Sequence, residues 1–252
     1  MSGETAAHVP YAPLDTPKPF GEELWIVDGG EIAMGFGAFS FPFPTRMTIA
    51  RLPGGRLWVH SPIALSPELI ERVTALGEVT WIVSPNTLHY WWLPDWAERF
   101  PKAALYAAPG LAKSAKRPLP PHHELSDEPV LEWEGVIRQR LVHSRFFREA
   151  DFFHAPSRTL ILTDLIENFE EKRIRRRPVR LLAWLGGVID PDGKAPLDMR
   201  MTFWGYRKAA RQAVETMIGW EPERIILAHG RCYERDGAKE LRRAFRWLVP
   251  DK

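Results

Sequence analysis

His89, His143, Asp164 and His229 are the side chains best suited to bind a metal ion, and three of the four follow a short apolar run. The runs are residues 81–84, ahead of Pro85-Asn86-Thr87-Leu88-His89; 159–163, ahead of Asp164; and 224–228, ahead of His229-Gly230; His143 follows residues 136–142, which read as a strand. Imidazole nitrogens and carboxylate oxygens are ordinary ligands of zinc and of non-haem iron, and a catalytic zinc commonly keeps three protein ligands and one open position. Ligands this far apart converge only if the strands bearing them end on one side of a fold, where sites on sheets collect. A lone His at a strand end is more often a hydrogen-bonded structural residue, and Asp164 alone would suit a helix N-cap, so the weight rests on the ordered set.

A second layer of polar residues accompanies these four. Asn86, His60, His154, Glu149 and Tyr90 are pocket or supporting candidates, with Glu149, His154 and His60 the groups available as a base. The bland readings are His154 capping a turn, His60 packing under loops, and Tyr90 with its neighbours Trp91, Trp92 and Trp96 belonging to an aromatic core. No catalytic residue is assigned on these grounds, because base catalysis is decided by geometry.

Such residues need a sheet to position them. Residues 23–27, 45–52 and 56–60 read as a β-meander, with Pro53-Gly54-Gly55 as its last turn. Ser66-Pro67-Glu68 supplies an N-cap and a first-turn proline for a helix to about residue 75. Residues 79–83, 94–99 and 104–107 then read as strand, helix and strand, and 136–142, 150–154 and 159–162 as three more strands. Helices are expected over 167–188, broken at Pro178, over 200–219 and over 237–248, with a last strand at 224–227. The fold class is α/β (α+β), an αββα sandwich of two mixed sheets with outer helices. Residues 1–20 read as a flexible arm and 21–252 as one domain. Gly29-Gly30 and Gly35-x-Gly37 lack the strand-to-helix context of a nucleotide loop and read as turn glycines.

Composition narrows the function classes. Hydrophobic residues at 45% and charged residues at 26% exclude a disordered or fibrous chain. Eleven Trp imply a dense aromatic core or a broad apolar groove. A net charge of +2 gives no argument for nucleic acid. The basic run Lys172-Arg173-Ile174-Arg175-Arg176-Arg177-Pro178-Val179-Arg180 follows Glu167, Glu170 and Glu171, so a salt-bridged face is the first reading and phosphate binding the second. The single Cys232 requires no oxidising compartment. No signal-peptide pattern opens the sequence, and the most apolar helical stretch, 181–189, is too short to span a bilayer. A cytoplasmic protein with a small-molecule substrate and no membrane or nucleic-acid partner is the expectation.

The order and spacing of the four motifs resemble the metallo-β-lactamase fold superfamily, over roughly residues 24–230. Its members carry HxHxDH after one strand, GHT later, an Asp ending another strand and a final His-Gly. Val142-His143-Ser144 resembles a relaxed GHT, Thr163-Asp164 the Asp segment, and Ala228-His229-Gly230 the last motif. In the first motif Ser84 and Asn86 fall on the two His, Leu88 on the Asp, and only His89 matches. The resemblance implies that one metal position is stripped and that the other keeps His89, Asp164 and His229, with His143 as a further ligand. It implies one divalent metal, zinc first and iron second, in a hydrolase-like protein of undefined substrate. The alternatives are a non-catalytic binding or scaffold protein of the same fold, and an iron-dependent redox enzyme.

Overall fold

Among the described residues, seven strands in the first half of the chain and four in the second build two facing mixed sheets. The computed structural model describes residues 6–36 and 39–249. The first sheet opens with the antiparallel strands β1 (Lys18–Gly21), β2 (Leu24–Phe36), β3 (Phe39–Leu52) and β4 (Arg56–His60). It continues in parallel through α1 (Pro67–Leu76), β5 (Glu78–Ser84), α2 (Leu93–Arg99), β6 (Ala104–Ala107), α3 (Leu111–Ser114) and β7 (His123–Glu124). Ser66 caps α1 as its sequence demands, its hydroxyl accepting from Leu69 N at 3.1 Å.

The second sheet contains β8 (Ile137–His143), β9 (Arg148–His154) and β10 (Thr159–Ile161), and is completed by β11 (Arg224–Ile226) after α4 (Arg177–Gly186), α5 (Leu197–Thr202) and α6 (Arg207–Gly219). Its order is β11-β10-β9-β8, with β10 and β11 parallel and the other pairs antiparallel. A last helix, α7 (Gly237–Ala244), follows.

Three apolar layers hold this arrangement. Trp58, Trp81, Trp133, Phe152, Ile161 and Ile226 fill the space between the sheets. Leu69, Val73, Leu93 and Trp96 seal α1 and α2 onto the first sheet, and Val214, Met217, Leu241 and Phe245 seal α6 and α7 onto the second. The order of layers is therefore αββα. Trp133 meets Trp58 and Trp81 edge-on at centroid distances of 6.2 and 6.1 Å, contacts worth about 0.5–1.5 kcal/mol each beyond their buried area.

Several local expectations change. Residues 6–20 are docked rather than a loose arm: His8 N and Nδ1 bond the Glu31 carboxylate at 2.7 and 2.9 Å, and His8 bridges Ile174. Residues 1–5 lie outside the described part. The helix expected over 167–188 is confined to α4, because Asn168 and Phe169 pair as extended backbone with Gly230 and Ile189, and Pro178 starts the helix instead of breaking it. The helix expected over 200–219 splits into α5 and α6 around Gly205, whose φ of 84° no helix accepts. Gly29-Gly30 sit in β2 at a register shift, where a Cβ on Gly29 would meet Thr45 Oγ1 at 2.6 Å. Gly35 also lies in β2, and Gly37 lies outside the described residues.

Candidate metal centre

β5, β10 and β11 all end on one side of the sandwich, and the turns beyond them bring His89, Asp164 and His229 together. One ligand atom from each lies within 4.8 Å of the other two, the single such group of three or more among the described residues. His89 Nε2 and His229 Nε2 both stand 3.1 Å from Asp164 Oδ1. Asp164 and His229 are buried and His89 nearly so.

Each ligand is fixed from behind. His89 Nδ1 bonds Ser61 Oγ at 2.7 Å, Ser61 itself taking a φ of 54° directly after β4. His229 Nδ1 faces the Pro44 carbonyl at 2.9 Å; a carbonyl only accepts, so Nδ1 carries the proton and Nε2 is the atom offered to the centre. Arg46, buried and paired with Asp28, donates to Leu227 O and Gly230 O at 2.6 and 2.8 Å, clamping the turn that bears His229. Gly230 follows necessarily: with φ 90°, its added Cβ would lie 2.0 Å from Asn168 O.

Asp164 is held by Glu149, which is fully buried on β9. Its carboxylate accepts from Thr163 N and Asp164 N, both at 2.9 Å, and from Asn86 Nδ2 at 3.0 Å. Asn86 Nδ2 also reaches Asp164 Oδ2 at 2.8 Å, while Asn86 Oδ1 accepts from Leu88 N and His89 N at 2.9 Å. The amide thus caps one Asp164 oxygen and leaves Oδ1 to the two imidazoles. Burial opposes charge on Asp164, but the charges and hydrogen bonds of His89 and His229 outweigh it and hold the carboxyl well below the usual range. Burial likewise disfavours a charged His89, yet Asp164 and then Glu149 raise its pKa above the ordinary value.

The other expected residues fall into different places. His143 is not in the cluster: it ends β8, two strands from β10, and the charges acting on it are Arg148, Asp127 and Arg140. His154 is at the opposite end of β9, bonded to Ser157 Oγ at 2.8 Å in the turn, with burial pushing its pKa down to about 4. Tyr90 belongs to the core beneath α2, its hydroxyl accepting from Lys116 N. His60 stacks on Trp58 at 5.3 Å with Nε2 unpartnered, and burial and the His89 charge push it down to about 3. Glu149 has its oxygens engaged by the backbone N–H groups of Thr163 and Asp164 and by Asn86. Sequence reading missed Glu167. Burial pushes its carboxyl up to about 8, and it feels the charges of His229 and Asp164; its signal was the Asp-x-x-Glu spacing.

Two His and one carboxylate, buried, backed by hydrogen bonds and converging on one point, fit a single divalent ion of the zinc or iron type. At the stripped position, Ser84 Oγ bonds Asn86 O and His89 O, and Leu88 is 37% exposed.

Residues 24–113 match a domain of unknown function, DUF4336. No curated protein is detectably similar in sequence. Among solved structures, the metallo-β-lactamase FIM-1 from Pseudomonas aeruginosa in its mono-zinc form is similar at 14% identity, covering 93% of this chain and 96% of that one, with a TM-score of 0.57. A metallo-β-lactamase from Hirschia baltica is similar at 14% identity over 94% and 98% of the two chains, with a TM-score of 0.58. This chain has the metallo-β-lactamase fold.

Proposed function

We propose that this chain of metallo-β-lactamase fold is a metal-dependent, hydrolase-like protein that uses one divalent ion, zinc first and iron second, held by His89, Asp164 and His229. The observation that carries the reading is the convergence of three buried ligand atoms on one point, with the neighbouring metal position given over to hydrogen bonding. The mono-zinc form of FIM-1 supports it, since a similar fold holds a single zinc there.

An ion in this position supplies Lewis acidity, which polarises a carbonyl or phosphoryl centre and acidifies water. The protein's own part is preorganisation. Ser61 and the Pro44 carbonyl fix the two rings, and Glu149 and Asn86 fix Asp164. Leu88 occupies the place where relatives of the resembled family carry an Asp, so a proton carrier must come from elsewhere.

Elemental analysis of the full chain purified without added metal tests the reading. His89→Ala and His229→Ala should lose the ion, while His122→Ala, in a loop where its Nδ1 faces Pro120 O, should keep it. Equal retention by all three sinks the assigned pocket. A chain that takes up no zinc and no iron is a scaffold of this fold, and iron with an optical signal marks a redox enzyme.

A further inference from the structure

We propose that α4, α5 and the turn leading into α6 form a docking surface for the face of an anionic lipid bilayer. The inference is independent of the metal reading. Among the described residues, eight of the twelve exposed large apolar side chains lie between residues 181 and 206. On α4 the inward positions are Val179 and Ala183, while Leu181, Leu182, Trp184 and Leu185 stand 48–68% exposed. A surface helix normally turns such residues inward. Leu197, Met201 and Trp204, spaced four and three apart, are 50%, 71% and 87% exposed. Phe146, 78% exposed in the β8–β9 turn, adjoins them through the bond from Arg145 N to Thr202 O. α4 packs on α5, and exposed apolar side chains gathered on neighbouring elements in this way mark an interaction site.

Its charge chooses the occupant. Residues 172–208 contain ten Lys and Arg and three Asp, although the whole chain nets only +2; Lys172 and Arg173 pair with Glu170 and Arg180 with Glu171, which leaves an excess of cations over the segment. Of those Asp, Asp192 is engaged by Lys194, Arg243 and Arg246. Arg177 and Arg180 stand one turn before Leu181 and Trp184, and Arg145 lies over the Phe146 ring. Nucleic acid would match the charge but leave the leucines in water. A second copy would cover the leucines, but a two-fold contact sets this cationic segment against itself. An anionic bilayer satisfies both: apolar side chains enter the acyl boundary, arginine heads remain with the phosphates, and Trp184 and Trp204 suit the interface. Among the described residues no helix is long and apolar enough to cross the membrane, so the ten residues of α4 would lie in its plane. The docked segment is bonded to the metal-centre strip, Lys194 O accepting from Glu167 N and His229 O from Asn168 N, both at 3.2 Å.

Co-sedimentation of the full chain with vesicles tests this, comparing phosphatidylcholine alone with phosphatidylcholine containing about one-third phosphatidylglycerol. Binding should be at least roughly tenfold stronger to the anionic vesicles and weaken with salt. Arg177→Gln with Arg180→Gln should reduce it by roughly thirtyfold, from the effect of about 1 kcal/mol per cation near such a surface. Leu181→Asp with Leu185→Asp should abolish it with unchanged circular dichroism and melting, both positions being exposed, whereas Lys113→Gln with Lys116→Gln should leave it intact. Trp184→Phe with Trp204→Phe should remove the vesicle-induced blue shift of tryptophan emission. No binding to either vesicle overturns the proposal, as does binding indifferent to the leucine changes. A wild-type dimer that Leu181→Asp with Leu185→Asp converts to monomer assigns the surface to a second copy instead. Duplex DNA bound with equal strength by the wild type and the leucine variant assigns it to nucleic acid.

Discussion

The two sides of the Asp164 carboxylate differ in what their neighbours offer. On the Oδ1 side stand two imidazole nitrogens whose far ring atoms are held by Ser61 and Pro44. On the Oδ2 side stands the Asn86 amide, a donor, backed by Glu149. On releasing their Nε2 protons the two imidazoles present lone pairs, whereas the Asn86 amide always presents N–H groups, so a cation can replace the protons on the first side and is repelled by the second. Residues equally close to the strand ends thus divide between binding and scaffolding according to which atom they present, and ligand count alone does not describe the centre.

The comparison is broken most severely from the binding side. His229→Ala should lower zinc affinity by roughly a hundredfold or more, exceeding the 10–100-fold typical of outer partners, as read by competition against a chelating dye. From the scaffolding side, Glu149→Gln should lower zinc affinity by roughly 10–100-fold and cost about 1–3 kcal/mol in denaturant unfolding, because an amide offers one acceptor oxygen where the carboxylate offers two. An affinity loss as large as that of His229→Ala would erase the distinction between ligand and support.

Asp151 sharpens the scaffolding side through pH. It is fully buried beside Glu149, and burial, followed by the Glu149 charge and a hydrogen bond to Glu149, raises its pKa well above the ordinary value. The unfolded chain ionises this carboxyl from about pH 4 while the native protein does not, so its contribution to stability falls as pH rises through that window and levels off above the native pKa. Asp151→Asn in chelator-treated protein should therefore flatten the decline and raise stability at pH 7 by about 1–3 kcal/mol. An unchanged pH profile would show that Asp151 is already ionised in the native state. The smallest effect belongs to His143→Ala, which should leave zinc affinity within about twofold, since neighbouring strands lie about 4.8 Å apart and β8 is two strands from β10. A tenfold loss would return His143 to the centre.

The contrast between His143 and His229 also shows how far the sequence could be read. Both follow strands and both carry imidazole, and residue type and order located the β5, β10 and β11 ends correctly. Strand order within the sheet decides which ends are neighbours, and β11 lies beside β10 whereas β8 lies two strands away, a fact carried by long-range pairing and absent from local pattern. The αββα layering was legible because alternating apolar runs and capped helices state which faces are buried. The segment after Asp164 was not, because its Glu-rich and Arg-rich composition suits a helix, whereas backbone pairing of Asn168 and Phe169 keeps it extended and carries Glu167 toward the ligands. Asn86 was legible as a neighbour of the site, but its role as a donor depends on which of its atoms faces Asp164.

The most direct measurement is the number of ions bound at saturation, obtained by equilibrating the full chain with excess zinc, removing free metal and determining zinc per chain. The account predicts one zinc per chain in the wild type and none in Asp164→Ala. Two zinc ions per wild-type chain, or one retained by Asp164→Ala, would contradict it.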